Sequence, residues 1–198
     1  MAVDSFIAFV ERFPEQVSEA RNLGVGVKVS GVDKVLVAGM GGSAISGDLL
    51  QAYCAEKVPS LQVGVSRGYD VPSFVDGRTL VFVSSYSGNT EETLSSLKGA
   101  MRKSAKVVIV ASGGKLLQQA EQFNKPTVEL PQDIQPRAAV AYLLIPLLNV
   151  LHASGLIPDP SQDISSAISS LKSASTAYRE RAKMLADKLA GKVPLIYS

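Results

Sequence analysis

Lys34-Val-Leu-Val-Ala38 runs directly into Gly39-Met40-Gly41-Gly42-Ser43-Ala44, so a short branched apolar run gives way to glycines and then to a helical pattern. A second stretch has the same build: Thr79-Leu-Val-Phe-Val-Ser84 passes into Ser85-Tyr86-Ser87-Gly88-Asn89-Thr90 and then Glu91-Glu92. A strand that ends in a tight turn and feeds a helix is the front of a βαβ unit. Residues 61–65 (LQVGV), 106–111 (KVVIVA) and 126–129 (PTVE) are further strand candidates. The middle runs are almost continuously apolar, as strands buried on both faces of a parallel sheet must be. Residues 43–54, 89–102 and 115–123 read as amphipathic helices between them. This alternation predicts an α/β fold, a three-layer αβα sandwich. Residues 66–78 carry Val71-Pro72 and Asp76-Gly77 and read as a loop.

Outward from the sheet, residues 3–12 and 14–22 form a helical preface, with Pro14 opening the second helix. Residues 136–154 make the most apolar helix of the chain, with Pro146 placed to kink it. Its alanines and leucines surround the helix, which predicts burial on several sides, with a second domain or subunit as the cover. After Pro158-Asp159-Pro160-Ser161, a long amphipathic helix runs to about Ala190, and Gly191 stands where a helix stops. Lys192-Val-Pro-Leu-Ile-Tyr-Ser198 begins another apolar strand. The expected organisation is one domain over residues 1–190, with 191–198 as the first strand of a second, truncated one.

Of 198 residues, 46% are hydrophobic and 19% charged, enough to build a buried core. Twenty Lys and Arg against eighteen Asp and Glu leave a formal charge of +2. That balance argues against a nucleic-acid partner or an anionic membrane surface. A single cysteine, Cys54, excludes an internal disulfide or a thiolate metal cluster, and a single histidine, His152, disfavours a His-rich metal site. The uncharged apolar stretch 138–151 is shorter than the ~20 residues of a membrane-spanning helix. A soluble, cytoplasmic protein is expected, with no metal and no cofactor.

Both strand-to-helix loops suit an anion. Glycines let the backbone come close, and the helix that follows presents N–H groups and the positive end of its dipole. For the first loop the plainer alternative is a tight turn with Ser43 as helix cap. For the second it is a turn in which Ser87 or Asn89 caps the helix and Glu91 and Glu92 complement its dipole. A cap accounts for one hydroxyl, whereas Ser85, Ser87 and Thr90 supply three. Gly39-x-Gly41-x-x-Ala44 also fits the dinucleotide fingerprint, and Ser66-Arg67 after the second strand would permit NADP. The serine-rich loop has no part in a dinucleotide site.

Met40-Gly-Gly-Ser-Ala-Ile-Ser-Gly-Asp48, Ser84-Ser-Tyr-Ser-Gly-Asn-Thr-Glu-Glu92 and Gln135-Pro-Arg-Ala-Ala139 together resemble the sugar isomerase (SIS) domain. The closer likeness is to the amino-terminal half of bifunctional phosphoglucose/phosphomannose isomerases. That resemblance implies a five-stranded, flavodoxin-like doubly wound parallel sheet, two such domains per subunit and a homodimer. It also implies that Gly41, Gly42, Ser43, Ser85, Ser87 and Thr90 hold a sugar phosphate, with Arg137 beside C1 and C2. Interconversion of glucose 6-phosphate or mannose 6-phosphate with fructose 6-phosphate, through a cis-enediol(ate), is the implied chemistry. In the family the glutamate base and the ring-opening histidine and lysine come from the second half. His152 does not match the family histidine and reads as a packing residue. A stand-alone sugar-phosphate-binding SIS module is the alternative.

Overall fold

The computed structural model describes residues 3–195, with side chains from residue 6 onward. Five strands, β1 (Lys34–Ala38), β2 (Gln62–Ser66), β3 (Thr79–Ser84), β4 (Lys106–Ala111) and β5 (Thr127–Glu129), pair in parallel in the order β2-β1-β3-β4-β5. Every residue of β3 is buried, because the strand has neighbours on both edges and helices over both faces. Leu80 and Phe82 join Val35 and Val37 in a core on one face. Val81 and Val83 join Leu36 and Ile109 on the other. The strand order changes direction between β1 and β3, which opens a crevice above their carboxyl ends.

Two short helices, α1 (Val3–Glu11) and α2 (Phe13–Ala20), precede the sheet. The helices α3 (Gly42–Lys57), α4 (Glu91–Arg102) and α5 (Gly114–Gln122) connect its strands. Residues 67–78 form no helix. A Cβ on Gly47 would stand 2.9 Å from the Val37 Cβ, so the missing side chain is what seats α3 on β1.

The expected apolar helix is split: a 3-10 turn, Pro136–Ala138, precedes α6 (Val140–Ala153). Ten of the fourteen residues of α6 are buried, and the cover comes from this chain rather than from a second domain or subunit. Helices α2 and α3 pack on it. The Tyr142 hydroxyl donates to Glu19 of α2, and Asn149 Nδ2 donates to the carbonyls of Arg21 (2.9 Å) and Leu23 (2.8 Å). Apolar periodicity says how much of a helix is covered, not by what. The helical preface therefore supplies a lid that the sequence pattern left open.

The last helix, α7 (Ser161–Leu189), packs apolar residues against the core only along its first three turns, at Ile164, Ile168 and Leu171. Ile164 is buried, and Asp163 accepts from Tyr53 Oη (2.8 Å) and Lys57 Nζ (3.0 Å) of α3. Farther along, Tyr178, Met184 and Leu185 are exposed, and Arg179 pairs with Glu11 of α1. Residues 191–195 pair with no strand, and the rest of the expected strand, 196–198, lies outside the described residues. No helix among the described residues is long and apolar enough to cross a membrane.

Candidate functional site

The loop after β1 turns at Gly41, whose φ of 53° lies in the left-handed region that glycine enters without strain. Gly41, not Ser43, is the N-cap of α3. Ser43 is the second residue of the helix and is buried. No side chain caps α3 and its first turn carries no acidic residue. The Ser43 N–H donates to the Met40 carbonyl (3.1 Å) and the Ala44 N–H to the Gly41 carbonyl (3.1 Å), so the turn closes on its own backbone while the positive end of the helix dipole stays uncompensated. Gly39 leaves β1 hard against β3: a Cβ there would lie 3.0 Å from both the Ser84 carbonyl oxygen and the Ser43 Cβ. The two candidate loops thus start side by side at the crevice.

In the loop after β3, the hydroxyls of Ser85 and Thr90 are 2.8 Å apart and share a hydrogen bond. Ser87 is exposed; its Oγ accepts the Asn89 N–H at 3.3 Å, and its carbonyl accepts from Asn89 Nδ2 at 3.1 Å. Asn89 Oδ1 in turn accepts the Lys115 N–H at 3.1 Å. The N-cap of α4 is Thr90, with no side-chain bond to the helix, so neither Ser87 nor Asn89 is a cap. Gly88 has φ +67°, and a Cβ there would fall 1.8 Å from the Gly113 carbonyl oxygen. This loop is therefore backed, backbone against backbone, by the turn that opens α5.

Arg137 is exposed in the 3-10 turn before α6. A Cβ on Gly42 would sit 3.1 Å from the Pro136 carbonyl oxygen, so the turn that carries Arg137 rests on the first residue of α3. The structure in this way brings Arg137 to the same rim as Gly41, Gly42 and Ser43. Glu91 and Glu92 lie in the first turn of α4, where they complement the dipole, and they hold the nearby Tyr69 phenol above its ordinary pKa. His152 is at the far end of α6, about 20 Å away by helical rise, and is exposed rather than packed. Arg67, the residue that would have read an NADP phosphate, pairs with Asp48 of α3.

Two participants escaped the sequence reading. Tyr86 is 8% exposed and its hydroxyl bridges two backbone groups of the segment leading to Arg137. Ser112 donates to the Tyr86 carbonyl from both its N–H (2.9 Å) and its Oγ (2.6 Å). The signal was present: Ser112-Gly113-Gly114 is a third small-residue turn between a strand and a helix.

No protein-family model matches the chain. It is 40% identical to the bifunctional phosphoglucose/phosphomannose isomerase of Caldicellulosiruptor bescii, over 95% of this chain and 58% of that protein. The Aquifex aeolicus protein of the same name is 34% identical, over 83% of this chain and 49% of its own length. A D-glucosamine-6-phosphate 4-epimerase of Sulfolobus acidocaldarius is 33% identical, over 95% of this chain and 58% of the epimerase. The chain therefore spans about half, and at most 58%, of these relatives. In fold it resembles a Clostridium difficile 630 protein regarded as a phosphosugar isomerase, with a TM-score of 0.68, 20% identity and coverage of 96% and 57% of the two chains. It also resembles the tagatose-6-phosphate ketose/aldose isomerase of Escherichia coli, with a TM-score of 0.51, 14% identity and coverage of 87% and 48%. Sequence and fold agree that the chain is a homologue of the bifunctional phosphoglucose/phosphomannose isomerases and carries the SIS fold.

Proposed function

We propose that this chain supplies the sugar-phosphate site of an isomerase that interconverts aldose and ketose hexose 6-phosphates. The observation that carries the reading is the pairing of two anion-suited loops, after β1 and β3, with the Arg137 turn resting on Gly42. The phosphate would take the turn at the N-terminus of α3, Gly41, Gly42 and Ser43, where the helix dipole has no acidic partner, and the hydroxyls of Ser85, Ser87 and Thr90. Isomerisation moves a proton between C1 and C2 and puts negative charge on the enediolate oxygens. A guanidinium, always protonated, stabilises that charge without giving up a proton, which is the role assigned to Arg137. Glu91 and Glu92 are committed to the start of α4, so the proton-transfer base is not assigned to them.

The epimerase relative favours a second reading, in which the same phosphate site serves a different transformation of a hexose 6-phosphate. A cytoplasmic location and a homodimer belong to the main reading. The apolar residues Met40 (37% exposed), Ile45 (48%) and Leu49 (43%), set around the phosphate loop, support an assembly across this rim, and sedimentation equilibrium checks it.

Calorimetric titration with glucose 6-phosphate tests the site. Replacing both Ser85 and Ser87 by alanine is expected to weaken binding by about 1–3 kcal/mol, the range for hydrogen bonds to a charged group. Equal affinity of the double variant would remove the phosphate assignment.

A further inference from the structure

Tyr86 sits in the middle of the loop assigned to phosphate, yet its side chain turns away from that loop into the protein, where only 8% of it is exposed. The phenol uses both of its hydrogen-bonding functions on one distant segment. It donates to the Pro131 carbonyl at 2.8 Å and accepts the Ile134 N–H at 2.9 Å. Those two backbone groups flank an irregular stretch in which Pro131, Gln132 and Asp133 are exposed and Asp133 has φ 63°. The 3-10 turn with Arg137 begins two residues after Ile134. At its other end, Tyr86 is anchored by Ser112, whose N–H and Oγ both donate to the Tyr86 carbonyl. A second strut runs parallel to the first, from Gln132 Nε2 to the Ser112 carbonyl at 3.1 Å.

We infer that Tyr86 is a positioning residue that couples the occupied phosphate loop to Arg137. The inference rests on the reading of the site proposed above and adds to it a mechanical link between its two halves. An aromatic ring has no torsion beyond χ2, so a shift of the loop backbone reaches the hydroxyl with little loss. The hydroxyl holds the segment at two points, which fixes direction as well as distance. A phosphate that draws in residues 85–90 therefore sets where the guanidinium stands relative to C1 and C2. A displacement of an ångström at that end is enough to lose much of a charge-stabilising contact. Phenylalanine at this position keeps the packing and removes only the link.

The test compares two probes on the intact chain by calorimetry. 5-Phospho-D-arabinitol presents the phosphate and the polyol chain without a second charge, whereas 5-phospho-D-arabinonate adds a carboxylate where the enediolate charge would form. Wild-type chain is expected to prefer the arabinonate at least tenfold, and Arg137→Ala to abolish the preference. Tyr86→Phe is expected to reduce the preference to below threefold while leaving arabinitol affinity within twofold. An undiminished preference in Tyr86→Phe overturns the inference and leaves the site standing. Equal losses for both probes overturn it too, since they mean that Tyr86 only holds the loop together. Wild-type chain that binds neither probe, or both alike, overturns the site reading and this inference with it. Hydrogen exchange on the wild-type chain gives a check that needs no variant. Arabinitol is expected to slow the amides of residues 132–138 as well as those of 85–90, and protection confined to 85–90 overturns the coupling.

Discussion

Ser84 ends β3 on the face it shares with Leu80 and Phe82, wholly buried, and its hydroxyl has no partner among the described residues. A desolvated hydroxyl that makes no bond costs stability, so its removal relieves the fold rather than injuring it. Ser84→Ala is expected to leave stability unchanged or raise it by up to about 1 kcal/mol. Chemical denaturation measures this, and a loss of stability would mean that the hydroxyl is bonded in solution. Its neighbour Ser85 behaves oppositely, because its Oγ is bonded to Thr90. The serines of this loop look alike in sequence, but they divide into one orphan, one bonded pair with threonine and one exposed acceptor at Ser87. Composition announces that hydroxyls gather here; only the geometry separates them.

Among the elements, strands were the most legible. β1, β3 and β4 have the bounds their apolar runs predict, because a strand buried on both faces is apolar through its middle, with polar residues only at its ends. Helix starts were less so. The plainer alternative, caps at Ser43 and at Ser87 or Asn89, does not hold: Gly41 and Thr90 take those places and no side chain closes either helix. The cover over α6 was illegible for another reason: it depends on how α2 folds back across a long separation in sequence. The packing of one loop on the next is likewise a property of pairs. Gly88 is the sharpest case, with φ +67° and a would-be Cβ 1.8 Å from the Gly113 carbonyl oxygen. Gly88→Ala is expected to destabilise the chain by at least about 2 kcal/mol, since strain and clash add, and to weaken sugar-phosphate binding along with it. Thermal unfolding checks the first effect, and an unaltered melting curve would show that the loop separates easily from the α5 turn.

Across the whole molecule, the elements of one face are joined by phenol–carboxylate bonds. Burial, then the bond to Asp163, raises the Tyr53 pKa where α3 meets α7; burial, then Glu19, raises that of Tyr142 where α6 meets α2. Each folded phenol keeps its proton past the ordinary value of about 10, at which the unfolded chain starts to give its own up. Their contribution is therefore complete below about pH 10 and is lost as pH rises beyond it. The acid side runs the other way. Lys57 and then Tyr53 hold Asp163 below the usual carboxylate range, and Lys34 does most to lower Asp76. Their contribution is present above about pH 4 and disappears as pH falls below it. Burial pushes the Cys54 thiol up to about 11 from an ordinary value near 9, so the melting temperature is expected to be flat from about pH 4 to about pH 9 and to fall on both sides, with the alkaline fall smaller in Tyr53→Phe. A melting temperature that climbs past pH 10 would contradict this. A different consequence follows from the contact of the three turns after β3, β4 and the 131–135 segment. Anyone grafting loops from a relative onto this chain will find that these turns do not transplant singly. A donor loop with a side chain at position 88 demands room at 113, and one without a phenol at 86 leaves 131 and 134 unbraced. The exchangeable unit is the set, and a recombination library should place its crossovers within the strands and helices around the three turns rather than between them.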